Sequence, residues 1–154
     1  MKTSGAGPKR EVPGPNRLGR VDFKAITVAT RKLVLVVDDD PSMLGAVERL
    51  LRVRGFDTEV FSTVEGFLDR ANLCGATCLV LDIHLNGMSG IDLRRQLTRS
   101  GIELPVIFIT ANDSEPTRKA AMEAGCVAYL PKPFPTKSLM DAIEAALGQS
   151  KSIN

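Results

Sequence analysis

Five glycines (Gly55, Gly75, Gly101, Gly125 and Gly148) recur at intervals of 20, 26, 24 and 23 residues. Each closes an amphipathic stretch, and a short apolar run precedes each stretch, so every interval holds one strand and one helix. Glycine accepts the left-handed conformation that ends a helix, and the five positions are therefore expected helix ends. The runs Leu33–Val37, Cys78–Leu81 and Pro105–Ile109 are apolar without alternation, as strands covered on both faces require. Thr58–Phe61 and Val127–Leu130 read as shorter strands nearer the sheet edges. Helix-start chemistry follows each strand. Asp40 precedes Pro41, a cap with proline in the first helical position. Ser62-x-x-Glu65 and Ser89-x-x-Asp92 have capping-box spacing, Ser114 precedes Glu115 and Pro116, and Thr136 opens the last helix. Met43, Val47, Leu50 and Leu51 form one apolar helical stripe, and Leu139, Ile143 and Leu147 another. Five such units predict an α/β fold: a five-stranded parallel sheet, doubly wound into a three-layer (βα)5 sandwich. Five units are too few for a closed eightfold barrel.

The chain of 154 residues suits one such domain, and its 44% apolar content suffices for a core. Its net charge of +2 hides an asymmetry. Residues 1–32 carry eight Lys/Arg against Glu11 and Asp22, a net +6, which leaves −4 for the remainder. Residues 1–30 are also rich in Gly and Pro and poor in apolar side chains, and are read as a flexible basic tail. Such a tail is either a solvated extension or an arm for an acidic partner. Only one aromatic residue, Phe23, interleaves with its charges, which favours the former and argues against nucleic-acid binding by this chain. Residues 31–148 form the expected domain, and 149–154 a short C-terminal tail. No apolar run is long enough to cross a membrane, and no apolar leader marks the chain for export, so the expected compartment is the cytoplasm. Cys74, Cys78 and Cys126 lack paired spacing and read as small buried thiols rather than zinc ligands or disulfides.

An open doubly wound sheet places its site at the carboxyl ends of its strands, where strand order reverses. Strand one ends in Asp38, Asp39 and Asp40, strand three in Asp82 and strand four in Thr110, and Lys132 follows strand five. Asp40 is assigned to capping because it precedes Pro41. Two carboxylates about 5 Å apart repel by roughly 3 kcal/mol at an effective dielectric of 20. Asp38, Asp39 and Asp82 buried together therefore need a cation, and hard oxygen donors suit Mg2+ or Mn2+. Lys132 adds a second positive charge and Thr110 a neutral donor. A carboxylate nucleophile in such a pocket forms an acyl phosphate. Lys132 lies between Pro131 and Pro133, whose rings stiffen the backbone that carries it. His84, the single histidine, reads as a bystander through its side chain.

Val36-Val-Asp-Asp-Asp-Pro41, Leu81-Asp-Ile-His-Leu-Asn-Gly-Met-Ser-Gly90, Ile109-Thr-Ala111 and Tyr129-Leu-Pro-Lys-Pro133 together resemble the CheY-like receiver domains of bacterial response regulators. The resemblance covers about residues 31–148 and implies a flavodoxin-like fold. It implies that Asp82 is the phosphoacceptor and that Asp39 ligates the metal directly and Asp38 mainly through water. The backbone carbonyl of His84 would be a further ligand. Lys132 would pair with phosphoryl oxygens across a cis Lys132–Pro133 bond. Thr110 and Tyr129 would form a switch pair, the hydroxyl moving to the phosphoryl group and the ring turning inward behind it. Asn86 departs from the proline often found there. His84 and Asn112 flank the path of attacking water and would tune the phosphorylated lifetime.

The implied function is a stand-alone regulator rather than a turnover enzyme, taking its phosphoryl group from a histidine kinase or histidine phosphotransfer protein. A downstream protein or a second copy of the chain would read the switched surface. The competing readings are a receiver-like module that binds partners without phosphorylation and a haloacid-dehalogenase-type phosphatase using Asp38-x-Asp40. The latter leaves Asp82 unexplained. Residues 149–154 are too few for a helix-turn-helix, so no output domain is expected in the chain as it stands.

Overall fold

The structure, a computed structural model, describes residues 31–153, with side chains through 149. The readings made for residues 1–30 lie outside the described residues.

Strands β1 (Leu33–Val37), β2 (Asp57–Phe61), β3 (Ala76–Asp82), β4 (Val106–Thr110) and β5 (Ala128–Pro131) alternate with helices α1 (Pro41–Val53), α2 (Val64–Arg70), α3 (Gly90–Arg99), α4 (Glu115–Ala124) and α5 (Thr136–Ile153). All strand pairs are parallel, in the order β2-β1-β3-β4-β5. Strand order thus reverses between β1 and β3, beside the Asp38 and Asp82 ends.

Successive strand residues serve two cores because side chains alternate between faces. Leu35, Val37, Leu79, Leu81 and Phe108 pack with Phe67, Leu93, Leu97 and Ala121 beneath α2, α3 and α4. Val34, Val36, Val80, Ile107 and Ile109 pack with Leu44, Val47, Leu51, Leu139 and Ile143 beneath α1 and α5. Both faces are covered, which is why these strands show no polar alternation. The result is the expected three-layer sandwich.

Several local signals act as expected. Asp40, Ser89 and Ser114 cap α1, α3 and α4, accepting from the amides of Ser42, Asp92 and Thr117. Gly55, Gly101 and Gly125 adopt positive φ just beyond α1, α3 and α4. Others need correction. Thr63, not Ser62, caps α2, its hydroxyl accepting from the Gly66 amide at 2.9 Å. Glu65 is exposed, while Val64 and Phe67 turn into the core. Gly75 ends no helix. The chain leaves α2 at Arg70, the Asn72 amide donates to Glu59 at 3.0 Å, and the Gly75 amide donates to Asn72 Oδ1 at 3.1 Å. These side-chain bonds offer the backbone an alternative to continuing the helix. Gly148 stops nothing either. Helix α5 runs on through the expected tail to Ile153, since glycine permits a left-handed turn without imposing one, and its interior cost is only about 1 kcal/mol. Cys74 is exposed in the turn before β3 rather than buried, whereas Cys78 is buried in that strand and Cys126 partly so. Burial pushes the Cys78 thiol up to about 12, which leaves it inert.

Candidate functional site

The register of the central strands assembles the rim. Val37 pairs with Leu81, so the next residue of each strand, Asp38 and Asp82, leaves the sheet side by side. Asp82 in turn aligns with Ile109, which places Thr110 one step further along β4. Thr110 aligns with Pro131, and the Lys132 amide donates to the Thr110 carbonyl at 2.7 Å. Four residues far apart in the chain thus reach one edge through strand pairing alone. The Lys132–Pro133 peptide is cis, as the resemblance implied.

Asp38 is fully buried, Asp82 nearly so, and Thr110 fully buried; among the described residues these are the buried polar or charged positions. Asp39 is half-buried and Asp40 exposed. Carboxylate oxygens of Asp38, Asp39 and Asp82 all lie within 4.8 Å of one another. The Asp38 carboxylate accepts from the Asp40 amide at 2.9 Å and from Lys132 Nζ at 2.7 Å. Lys132 Nζ also stands 3.5 Å from Asp82 Oδ2. The other Asp82 oxygen accepts from the His84 amide at 3.2 Å. The His84 side chain is exposed, so this residue meets the site through its backbone. Thr110 Oγ1 accepts from the Asn112 amide at 3.0 Å.

The electrostatics follow from this packing. Burial first, then the neighbouring Asp38 charge, raises the Asp82 carboxyl from its ordinary value to about 6, although Lys132 and the His84 amide pull the other way. Burial is also the largest influence on Lys132 and pulls it down, but Asp38 and Asp82 together outweigh it and raise the ammonium above its ordinary value. One lysine therefore serves two buried carboxylates, and a third carboxylate stands alongside. The donor set fits a hard divalent cation, because three close acidic oxygens repel one another until positive charge intervenes.

Two contributors escape sequence inspection. Gly90 opens α3 against the end of β3, its amide donating to the Ile83 carbonyl at 2.7 Å. A Cβ there would overlap the backbone carbonyl of Asp82, so only glycine lets the helix approach so closely. Its place as the first residue of a capped helix was legible, but its contact with Asp82 was not. The second is Asp113, which accepts the Tyr129 hydroxyl at 2.8 Å and pairs with Arg118 at 3.2 Å. Asp40, by contrast, is exposed and accepts the Ser42 amide at 3.0 Å, the capping role expected of it.

A doubly wound parallel sheet with acids, a hydroxyl and a lysine gathered at its carboxyl edge has the architecture of a signalling receiver module. A family model described as the response regulator receiver domain matches residues 34–144, and the chain belongs to that family. It is 38% identical over 115 residues to the response regulator protein TodT of Pseudomonas putida, an alignment covering 75% of this chain and 51% of TodT. It is 36% identical over 132 residues to nodulation protein W of Bradyrhizobium diazoefficiens, covering 83% of this chain and 58% of that protein. The chain thus spans somewhat more than half the length of these curated relatives. Among solved structures, the response regulator StyR matches with a TM-score of 0.74 and 42% identity over 79% of this chain and 62% of StyR. A CheY-like receiver domain protein from Methanospirillum hungatei matches with a TM-score of 0.72 and 25% identity, over 80% of this chain and 99% of that one.

Proposed function

We propose that this receiver accepts a phosphoryl group on Asp82 from the phosphohistidine of a histidine kinase or histidine phosphotransfer protein. The observation that carries the reading is the Asp82 carboxylate itself, buried at the sheet edge with Lys132 Nζ 3.5 Å away and two further acids within 4.8 Å. A buried carboxylate so placed has no structural task that a neutral residue would not perform at lower cost.

In the transfer, an Asp82 oxygen attacks phosphorus in line with the donor nitrogen. The N–P bond breaks as the O–P bond forms, and its electrons return to the imidazole, which takes a proton from solvent. The His84 amide and Lys132 orient Asp82, Lys132 Nζ lies where it meets the incoming phosphoryl oxygens, and the Thr110 hydroxyl is available to donate to one of them. Asp38, Asp39 and Asp82, with the His84 carbonyl, would hold Mg2+ or Mn2+, which when bound supplies positive charge to the phosphoryl oxygens. The product carries about −1.5 to −2 charges where the free carboxylate carried one, and this drives the switch toward a protein target or a second copy of the chain.

The chain acts as a signalling phosphoacceptor in the cytoplasm rather than as a turnover enzyme. No helix among the described residues is long and apolar enough to cross a membrane. With an acid, a hydroxyl and a lysine all in place, the site supports this reading over a partner-binding module that is never phosphorylated. Incubation with a small-molecule phosphodonor and Mg2+ is expected to label the native chain. The label should disappear in Asp82→Asn and when the metal is chelated. Undiminished labelling of the Asn variant would sink the assignment.

A further inference from the structure

Tyr129 is the single tyrosine of a chain that has no tryptophan. Its ring is 7% exposed on β5, and its hydroxyl donates to Asp113 Oδ1 at 2.8 Å. The same carboxylate accepts from the Arg118 guanidinium at 3.4 and 3.2 Å. That guanidinium lies 4.6 Å from the centre of the Tyr129 ring, within cation–π range. Hydroxyl, carboxylate and guanidinium therefore close a triangle. Asp113 stands just before the α4 cap and Arg118 in the first half of α4, so the triangle fastens the start of that helix to β5.

The other end of this connection reaches the phosphoacceptor rim. Asp113 follows Thr110 by three residues, and the fully buried Thr110 side chain receives the Asn112 amide at 3.0 Å. Only Ala111 and Asn112 separate the rim hydroxyl from the latch carboxylate. The Asp113–Arg118 pair is about 40% exposed on each side, so solvent screens it and its fastening is weak enough to yield.

We propose that Asp113 and Arg118 are positioning residues that hold the Tyr129 ring against the sheet, and that a phosphoryl group on Asp82 acts on Tyr129 by disturbing this latch. The coupling rests on the phosphoacceptor reading given above. A phosphoryl dianion on Asp82 offers oxygens to the Thr110 hydroxyl. Turning toward them withdraws the oxygen on which the Asn112 amide leans, and the Ala111–Asp113 backbone must rearrange. The family resemblance implied a ring that turns inward on phosphorylation. Here the ring is buried and its hydroxyl is capped by Asp113, so a movement of the ring must make or release this fastening. The phenol proton is held accordingly. Burial first, then the Asp113 hydrogen bond and charge, raise the tyrosine above its ordinary value, against the opposing pull of Arg118 and the Ser114 backbone.

Because one tyrosine supplies the whole signal, near-ultraviolet titration of the full chain reads the latch directly. Asp113→Ala is expected to move the phenol titration down, and Arg118→Met to move it up. Asp113→Asn, which keeps an acceptor without the charge, should fall between the Ala variant and the native chain. General loosening would move the Asp113 and Arg118 variants in the same direction, and that result would overturn the positioning role. Tyrosine fluorescence is then followed during phosphorylation by a small phosphodonor with Mg2+, with intact mass counting the phosphoryl groups taken up. The native chain should change signal as the phosphoryl group arrives, and Asp113→Ala should take up the group with that change abolished. Uptake without any tyrosine response in the native chain overturns the coupling and leaves the phosphoacceptor reading standing. Failure of uptake overturns that reading and the coupling with it, while the paired titrations still decide whether the latch holds the ring.

Discussion

The rim around Asp82 and the corner around Tyr129 each join a cation to an acid near the ends of β4 and β5, yet they differ in depth. At the rim, the Lys132 side chain is 14% exposed and its partner Asp38 wholly buried. At the corner, Arg118 and Asp113 are 41% and 40% exposed. Water has been removed from the first pair and kept by the second. A buried charge must be answered by protein groups, and its neighbours cannot be withdrawn cheaply; an exposed charge is answered by solvent whenever its partner leaves. The rim is thus suited to holding a fixed arrangement of charge until chemistry changes it, and the corner to being rearranged.

The largest effect that would break this comparison is expected from Lys132→Met. The substitution leaves Asp38 and Asp82 buried together without their shared cation, and removing one partner of a buried pair typically costs about 3 kcal/mol. Urea unfolding at pH 7 without metal should show that loss. Acid should restore part of it, because Asp82 can take up a proton. A loss no larger than that of an exposed pair would mean that water reaches the rim and that the two regions do not differ in kind.

Asp82→Asn should work in the opposite sense. The native carboxyl titrates near 6 rather than at its ordinary 3.8, so between these values the folded chain binds the proton more tightly than the unfolded chain does. Stability of the metal-free protein should therefore fall as pH rises through that window. At pH 7 the ionised group costs at most about 3 kcal/mol. Asn removes the charge, so the variant should be more stable by up to that amount at pH 7 and lose the slope between pH 4 and 6. Mg2+, by binding the folded native chain, should narrow the gap between the two. An Asn variant less stable than the native chain would show that the carboxylate is a structural asset rather than a strained reactive group.

How much of this was legible in the sequence depended on whether the determining contact is local or periodic. The buried strands announced themselves because covering a sheet on both faces forces unbroken runs such as Leu33–Val37. The rim acids and Lys132 were legible for a related reason: in a parallel doubly wound sheet, position at a strand's carboxyl end fixes position in space. Asp38 and Lys132, 94 residues apart, could therefore be brought together on paper. Gly75 and Gly148 misled because glycine's freedom is a permission, overruled at one site by the Glu59 and Asn72 side chains and at the other by continued helix. Thr63 displaced Ser62 because adjacent hydroxyls are equivalent candidates until packing selects the helix start. The triangle of Asp113, Arg118 and Tyr129 had no signature at all. It joins a loop, a helix and a strand through side-chain reach, and none of the three sits at a position that the periodicity singles out.

The smallest effect belongs to that triangle. Arg118→Met removes the cation from a pair that solvent already screens, while the Asp113 carboxylate keeps the Tyr129 hydroxyl and the methionine keeps some of the contact over the ring. Exposed ion pairs are worth about 0.2 to 1 kcal/mol, and a solvent-exposed cation over an aromatic face about 0.5 to 1, with the retained methionine contact offsetting part of the second. The variant is therefore expected to unfold with a stability within about 1 kcal/mol of the native chain. Raising the salt concentration should shrink the difference further, since screening weakens the native pair and leaves the variant untouched. The cost of Lys132→Met should respond much less to salt, because ions do not enter a buried pair. Measured side by side in urea at low and high salt, the two variants turn the difference in depth into a difference in slope. If the Arg118 variant lost as much as the Lys132 variant, and lost it independently of salt, the corner would be as rigid as the rim and unsuited to yielding when Asp82 is modified.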